Sequence, residues 1–262
     1  MKERFQDAFW LWGQSPGSHH ITAKLPGINR MTPMECCREF GIPNCYRVVM
    51  SGFPNKPYDP EAEALAECRQ VVWSITGSLD TKRNDDGIGD LYETLRLAEK
   101  FPNFTGGVLD DFFNPGRIGF FSPGKLAFMR EKLHEKNLKL HVVVYDHELD
   151  WGIEKHLAEC DVITFWTWNG NKNLRAHEAN FTKLQKMAPG KEFRAGFYMW
   201  DYRNSTTLGL DLMEFQCNDY LQWYKAGRID GLILCSNCIA DIGLEAAPWT
   251  REWMRSVADE TR

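Results

Sequence analysis

Short apolar runs alternate with amphipathic stretches along the whole chain. The runs occupy residues 8–13, 45–50, 71–77, 104–113, 140–146, 161–168, 193–202 and 231–236, and Val, Ile, Leu, Phe and Trp dominate them. They are nearly continuous in apolar character, as expected of strands covered on both faces of a parallel sheet. Helical patterns fill the intervals at residues 32–40, 59–69, 90–100 and 122–136, a stretch ending near 160, then 174–187, 210–226 and a last helix entered at Pro248. Thr32-Pro33 and Ser122-Pro123 read as an N-cap followed by a first-turn proline, and Gly41 reads as a stop.

Eight strands and eight helices in strict alternation predict parallel strands joined by helical crossovers. The count of eight predicts closure into a (β/α)8 TIM barrel, not an open doubly wound sheet. The chain has 262 residues, close to the usual length of about 250 for one such barrel. No linker or low-complexity tract divides it, so residues 1–262 read as one domain.

In a barrel of this kind the site is built from strand C-termini and the loops that follow. Those positions carry Trp10 and Trp12, Asp110 and Asp111, Tyr145 to Glu148, Trp166 and Trp168, Trp200 to Tyr202, and Ser236 and Asn237. The strand starts carry little besides Asp161 and Arg194. Turn preference accounts for Asp and Asn at such places, but not for Trp. The chain holds 10 Trp, against about three or four at ordinary usage. Trp73, Trp223 and Trp253 are assigned to packing between sheet and helices. Side chains alternate along a strand, so only one of Asp110 and Asp111 is expected to face the mouth. An acid buried there costs several kcal/mol unless it is paired or hydrogen-bonded.

Tryptophan faces stack on the apolar faces of sugar rings and lose few rotamers in doing so. Carboxylates accept hydroxyl protons strongly, and two of them supply the acid and the base or nucleophile of glycoside hydrolysis. In Val108-Leu109-Asp110-Asp111-Phe112-Phe113, Trp166-Thr167-Trp168 and Tyr198-Met199-Trp200-Asp201-Tyr202, the chain resembles barrel-type glycoside hydrolases and their uncharacterised relatives. The likeness in architecture covers the whole chain, whereas the motifs are short. It implies an acid/base from the end of strand four, Asp110 or Asp111, and a second carboxylate from Asp201 or Asp146. Large families with Glu on both strand four and strand seven are not matched, and the D-x-x-D-x-D-x-E run of chitinase-like enzymes is absent.

The expectation is therefore a barrel acting on a sugar or glycan. Asp111 is the general acid/base, Asp201 the opposing carboxylate, and Asp110 or Asp146 orients them. Trp12, Trp166, Trp168 and Trp200 form the platform, and Tyr145, Tyr202 and Asn237 supply hydrogen bonds. No metal or other cofactor is expected. Two other classes fit the same residues. One is a metal-dependent barrel with ligands drawn from Asp110, Asp146, His147, Glu148 and Asp201. The other is a carbohydrate-binding barrel without turnover.

The remaining features narrow the picture. The formal net charge is −5 with no basic stripe, so no nucleic-acid partner is expected. No apolar run reaches the ~20 residues of a membrane span, and the first seven residues lack the apolar core of a secretory signal, which points to the cytoplasm. The eight Cys read as buried, reduced thiols, and Cys235-Ser-Asn-Cys238 lacks the partners of a zinc site. Gly87-Ile88-Gly89 is not a dinucleotide fingerprint. The loops at 14–30 and 80–90 are candidate lids.

Overall fold

The computed structural model describes residues 4–20, 22–79 and 88–262. Most of the second candidate lid, at 80–87, lies outside the described residues, as does Gly87 of the glycine motif. The strands are β1 (Phe9–Gly13), β2 (Asn44–Arg47), β3 (Gln70–Thr76), β4 (Phe104–Leu109), β5 (Lys139–Tyr145), β6 (Val162–Trp166), β7 (Glu192–Tyr198) and β8 (Gly231–Cys235). They close into a parallel barrel in the order β1-β8-β7-β6-β5-β4-β3-β2. The (β/α)8 barrel expected from the alternation is the fold.

Local chemistry sets the helix ends. Thr32 accepts from the Glu35 amide at 3.3 Å while Glu35 accepts from the Thr32 amide at 2.8 Å, a reciprocal cap. Gly41 then ends the Pro33–Phe40 helix in the left-handed conformation at φ 67°.

Three apolar runs overshoot their strands. β4 stops at Leu109 because the backbone turns at Asp111, whose φ is +44°. Asp tolerates this left-handed region better than most residues. β7 stops at Tyr198, and Trp200–Asp201 pairs antiparallel with Thr206–Thr207 in a hairpin outside the barrel. β6 stops at Trp166, so Trp168 belongs to the loop. A short helix, Pro115–Phe120, also follows β4, capped by Asn114 on the Arg117 amide. No helix among the described residues is long and apolar enough to cross a membrane.

The lumen is filled by large side chains set against glycines. A Cβ on Gly196 of β7 would lie 2.2 Å from the Trp166 ring. One on Gly106 of β4 would lie 2.7 Å from His141 Nε2, and one on Gly231 of β8 would lie 3.1 Å from Trp10. Each glycine thus makes room for one ring, and the filling decides how high the floor of the mouth sits. At the lower end the Arg194 guanidinium lies 3.8 Å from the Trp10 ring centre. It also donates to the Tyr46 hydroxyl, which contacts His141 Nδ1. Burial, with Arg194 and Lys139 nearby, holds the His141 pKa well below the usual histidine range. That imidazole stays neutral.

Candidate active site

Above this filling, Trp166 and Trp12 form an aromatic layer, their rings edge to face at 5.3 Å. The Trp166 indole N–H donates to Thr164 Oγ1 at 2.9 Å, which fixes the ring across Gly196. A narrow cavity of about 60 Å³ lies on this layer. Gln14, Asp110, Asp111, Tyr145 and Tyr198 line it, together with Trp168, Tyr202, His19 and Cys235. A shallower groove of about 240 Å³ adjoins it, lined by Glu148, Trp151, His147 and Phe113 among others. Asp111, Tyr145 and Trp168 line both, so they form the wall between the two.

Asp111 is held from three sides. The Tyr145 hydroxyl donates to its Oδ1 at 2.8 Å, and the Leu79 amide donates to its Oδ2 at 3.0 Å. Its backbone is fixed by Arg117, whose guanidinium donates to the carbonyls of Gly77, Ser78, Asp110 and Asp111. Arg117 thereby ties the end of β3 to the turn after β4. Asp110 is buried, and its Oδ1 accepts from the Asp111 amide at 2.9 Å. Both neighbouring acids line the cavity, because the left-handed turn at Asp111 breaks the strand alternation that would have separated them.

The expected site residues divide in two. Trp12, Trp166, Trp168, Tyr145, Tyr202, Asp110 and Asp111 converge on the cavity. Tyr202 stacks on Trp168 at 5.9 Å and on His19 at 5.0 Å, so the first loop reaches the mouth. Asp201, Asp146, Trp200 and Asn237 do not line it. The Asp201 carboxylate accepts from the backbone and side chain of both Asn171 and Asn204, at 2.8–3.0 Å, and holds the hairpin after β7 against the loop after β6. Asp146 accepts from the Trp168 amide and from Asn173, at 3.0 and 2.7 Å. Burial pushes its pKa up, but His147, Asn173 and Trp168 outweigh this and hold the carboxyl below its usual range. The Trp200 indole donates to the Ala23 carbonyl at 3.2 Å and pins the first loop. Asn237 is buried, and its amide exchanges two hydrogen bonds with the Gln14 backbone. These four residues build the frame around the cavity.

Other residues join these at the site. Glu148, named from the sequence among the strand-end residues and the candidate metal ligands, lies in a short 3-10 turn after β5 (Asp146–Glu148) and accepts from the Tyr145 amide at 2.7 Å. Burial, together with the charges of Asp111, Asp146 and Asp110, raises its pKa to about 9. Burial also raises Tyr145 and Tyr198 well above the usual phenol range, so both keep their protons. Gln14 follows Trp12 by two residues and so continues the lumen-facing side of β1, a signal that strand periodicity carried. All eight Cys are free and buried. Among the described residues no three His, Cys, Asp or Glu side chains are grouped to hold a metal ion.

No family model matches the chain, and no curated protein matches it. Solved structures with the same barrel include a chitinase from Chromobacterium violaceum, 11% identical, with a TM-score of 0.59 over 95% of this chain and 99% of that one. An endo-β-N-acetylglucosaminidase from Cordyceps militaris is 13% identical, with a TM-score of 0.57 over 96% and 90%. A probable 2-pyrone-4,6-dicarboxylic acid hydrolase from Acinetobacter baumannii is 12% identical, with a TM-score of 0.56 over 95% and 92%. At these identities the likeness is one of fold, which hosts unrelated chemistries. The chain is a (β/α)8 barrel whose polar and aromatic mouth lies at the C-terminal ends of its strands.

Proposed function

We propose that the protein is a glycoside hydrolase acting on a sugar or glycan at the C-terminal face of the barrel. One observation carries this: Asp111, hydrogen-bonded by Tyr145, stands in the wall between an aromatic-floored cavity and an adjoining groove, with Trp168 bordering both. A glycosidic bond crossing that wall has one sugar over the Trp166 and Trp12 layer and the other along Trp168 and Trp151. Indole faces suit the apolar faces of both rings.

The two carboxyls of the reaction are then Asp111 and Glu148: Glu148 takes the acid's part first given to Asp111, and Asp111 takes the opposing part first given to Asp201. Asp201 has its oxygens engaged by Asn171 and Asn204, whereas Glu148 lines the groove beside Asp111. A carboxyl with a pKa near 9 keeps its proton at neutral pH. Glu148 accordingly donates to the departing oxygen, while Asp111 meets the positive charge that develops on the ring; water then bonds to that ring carbon and returns a proton to the Glu148 carboxylate. Tyr145 orients Asp111, and Asp110 orients the turn that carries it.

The test is hydrolysis of a panel of 4-methylumbelliferyl glycosides and neutral oligosaccharides by the wild type and by Asp111→Asn. Asn also accepts the left-handed conformation, so the variant keeps its fold. Cleavage by the wild type with a loss of about 100-fold or more in the variant supports the assignment. Binding of these sugars without cleavage by the wild type replaces the hydrolase with a carbohydrate-binding barrel, and equal rates overturn the role of Asp111.

A further inference from the structure

Gln14 occupies an unusual position. It is fully buried at the end of the cavity-facing side of β1, and it lines the narrow cavity with Asp110 and Asp111. Its backbone is locked, because the Asn237 side-chain oxygen accepts from its amide at 2.8 Å and the Asn237 nitrogen donates to its carbonyl at 3.0 Å. The same Asn237 nitrogen donates to the Met31 carbonyl at 2.8 Å, which fixes the clamp to the far end of the first loop. Yet no protein group among the described residues pairs with either Oε1 or Nε2 of Gln14. A buried primary amide that has one acceptor and two donors left over is rare in native proteins, and such groups usually face a ligand or water.

We propose that Gln14 is a specificity-determining residue that reads a vicinal diol on a neutral sugar ring seated in the cavity. This rests on the glycoside hydrolase function proposed above. A diol offers what the amide lacks: one hydroxyl donates to Oε1 while its neighbour accepts from Nε2. The cavity has room for several groups of water size at about 10–15 Å³ each, which suits the hydroxyl-bearing edge of a ring. Asp110 and Asp111 on the same wall accept further hydroxyl protons and repel a sugar carboxylate, so the occupant is not an anion. Asn237 is a positioning residue in this arrangement, since it touches Gln14 and not the cavity.

Wild type and Gln14→Met are titrated with the methyl glycosides of glucose, galactose, mannose and N-acetylglucosamine, and with methyl glucuronide. Binding is followed by NMR and folding by Tm. Methionine keeps the length of the side chain and removes its polar atoms. The expected result is at least tenfold weaker binding of the best neutral glycoside by the variant, an unchanged or higher Tm, and no binding of the glucuronide. A Gln14 that merely supported the fold would lower Tm and leave affinity intact. If the variant does not fold, the side-chain amide resonance of Gln14 in the wild type decides: it shifts on titration if the amide meets the sugar, and stays in place if it does not. Wild-type binding to none of the glycosides removes the function proposed above together with the diol. Binding preserved in Gln14→Met, or tight binding of the glucuronide, overturns the inference about Gln14 alone.

Discussion

The Tyr145 hydroxyl donates a 2.8 Å hydrogen bond to Oδ1 of Asp111 and so joins the end of β5 to the turn after β4. Tyr145 also lies edge to face with Trp168 at 5.3 Å, so one side chain sets both the carboxylate and the aromatic wall. Replacing it with Phe removes the hydrogen bond and keeps the ring. A hydrogen bond to a charged group contributes about 1.5–3 kcal/mol, which corresponds to a drop of roughly 10- to 100-fold in rate. Tyr145→Phe should show that drop in kcat with KM nearly unchanged, because the ring still borders the substrate. Steady-state kinetics on the best glycoside checks the split.

Asp201 separates a framing role from a chemical one. Its carboxylate receives four hydrogen bonds from Asn171 and Asn204. Asp201→Asn places an amide nitrogen against donors, so folding stability should fall by about 1–3 kcal/mol. The rate loss should be at least tenfold smaller than in Asp111→Asn. Parallel urea unfolding and rate measurements decide. A stable variant with a rate as low as Asp111→Asn would return Asp201 to the chemistry.

Glu148 makes stability depend on pH in a defined direction. Its pKa of about 9 in the folded protein lies above its ordinary 4.5. Between these values the unfolded chain has lost the proton that the folded protein retains. The folded state therefore binds more protons, and this group's contribution to stability falls as pH rises across the window. Below pH 4.5 both states are protonated and the penalty vanishes. Glu148→Gln cannot ionise, so the Tm difference, variant minus wild type, should grow steadily from pH 4.5 to 9 and then level off. A difference that stays constant with pH would mean that Glu148 is ionised in the folded protein. Activity of the same variant should be strongly reduced at all pH values.

Gly196 is the contact that lets Trp166 lie flat in the lumen. Its missing Cβ would sit 2.2 Å from the indole. Because the neighbour is a rigid ring held to Thr164 by a hydrogen bond, it cannot swing aside cheaply. Gly196→Ala should cost about 1–3 kcal/mol and lift Trp166 into the cavity, with a loss of sugar affinity. The shift in tryptophan fluorescence, read with the thermal melt, tests both effects.

The closed barrel was legible in the chain because alternation of apolar runs with helical periodicity is a local property. Strand-end positions such as Tyr145 and Trp166 were legible as residues facing the mouth for the same reason. The strand ends were less so. Nothing in Tyr198-Met199-Trp200-Asp201-Tyr202 says that the chain leaves the barrel after Tyr198, since the hairpin depends on Asn171 and Asn204 reaching Asp201. The apolar run around Trp200 looked like a continued strand, and the Trp itself packs on the first loop.

The sequence by itself determined the number of strands, their parallel order and the end of the barrel that gathers Trp, Tyr and Asp, because hydrophobic period and turn chemistry act over a few residues. Only the tertiary structure decided which acids face the cavity and which serve as framing, and that Glu148 is buried beside Asp111. It also decided that Gln14 is clamped by a residue 223 positions away. Burial, charge proximity and hydrogen-bond partners are set by groups that meet across the closed barrel, and no local pattern encodes which distant side chain will arrive to satisfy them.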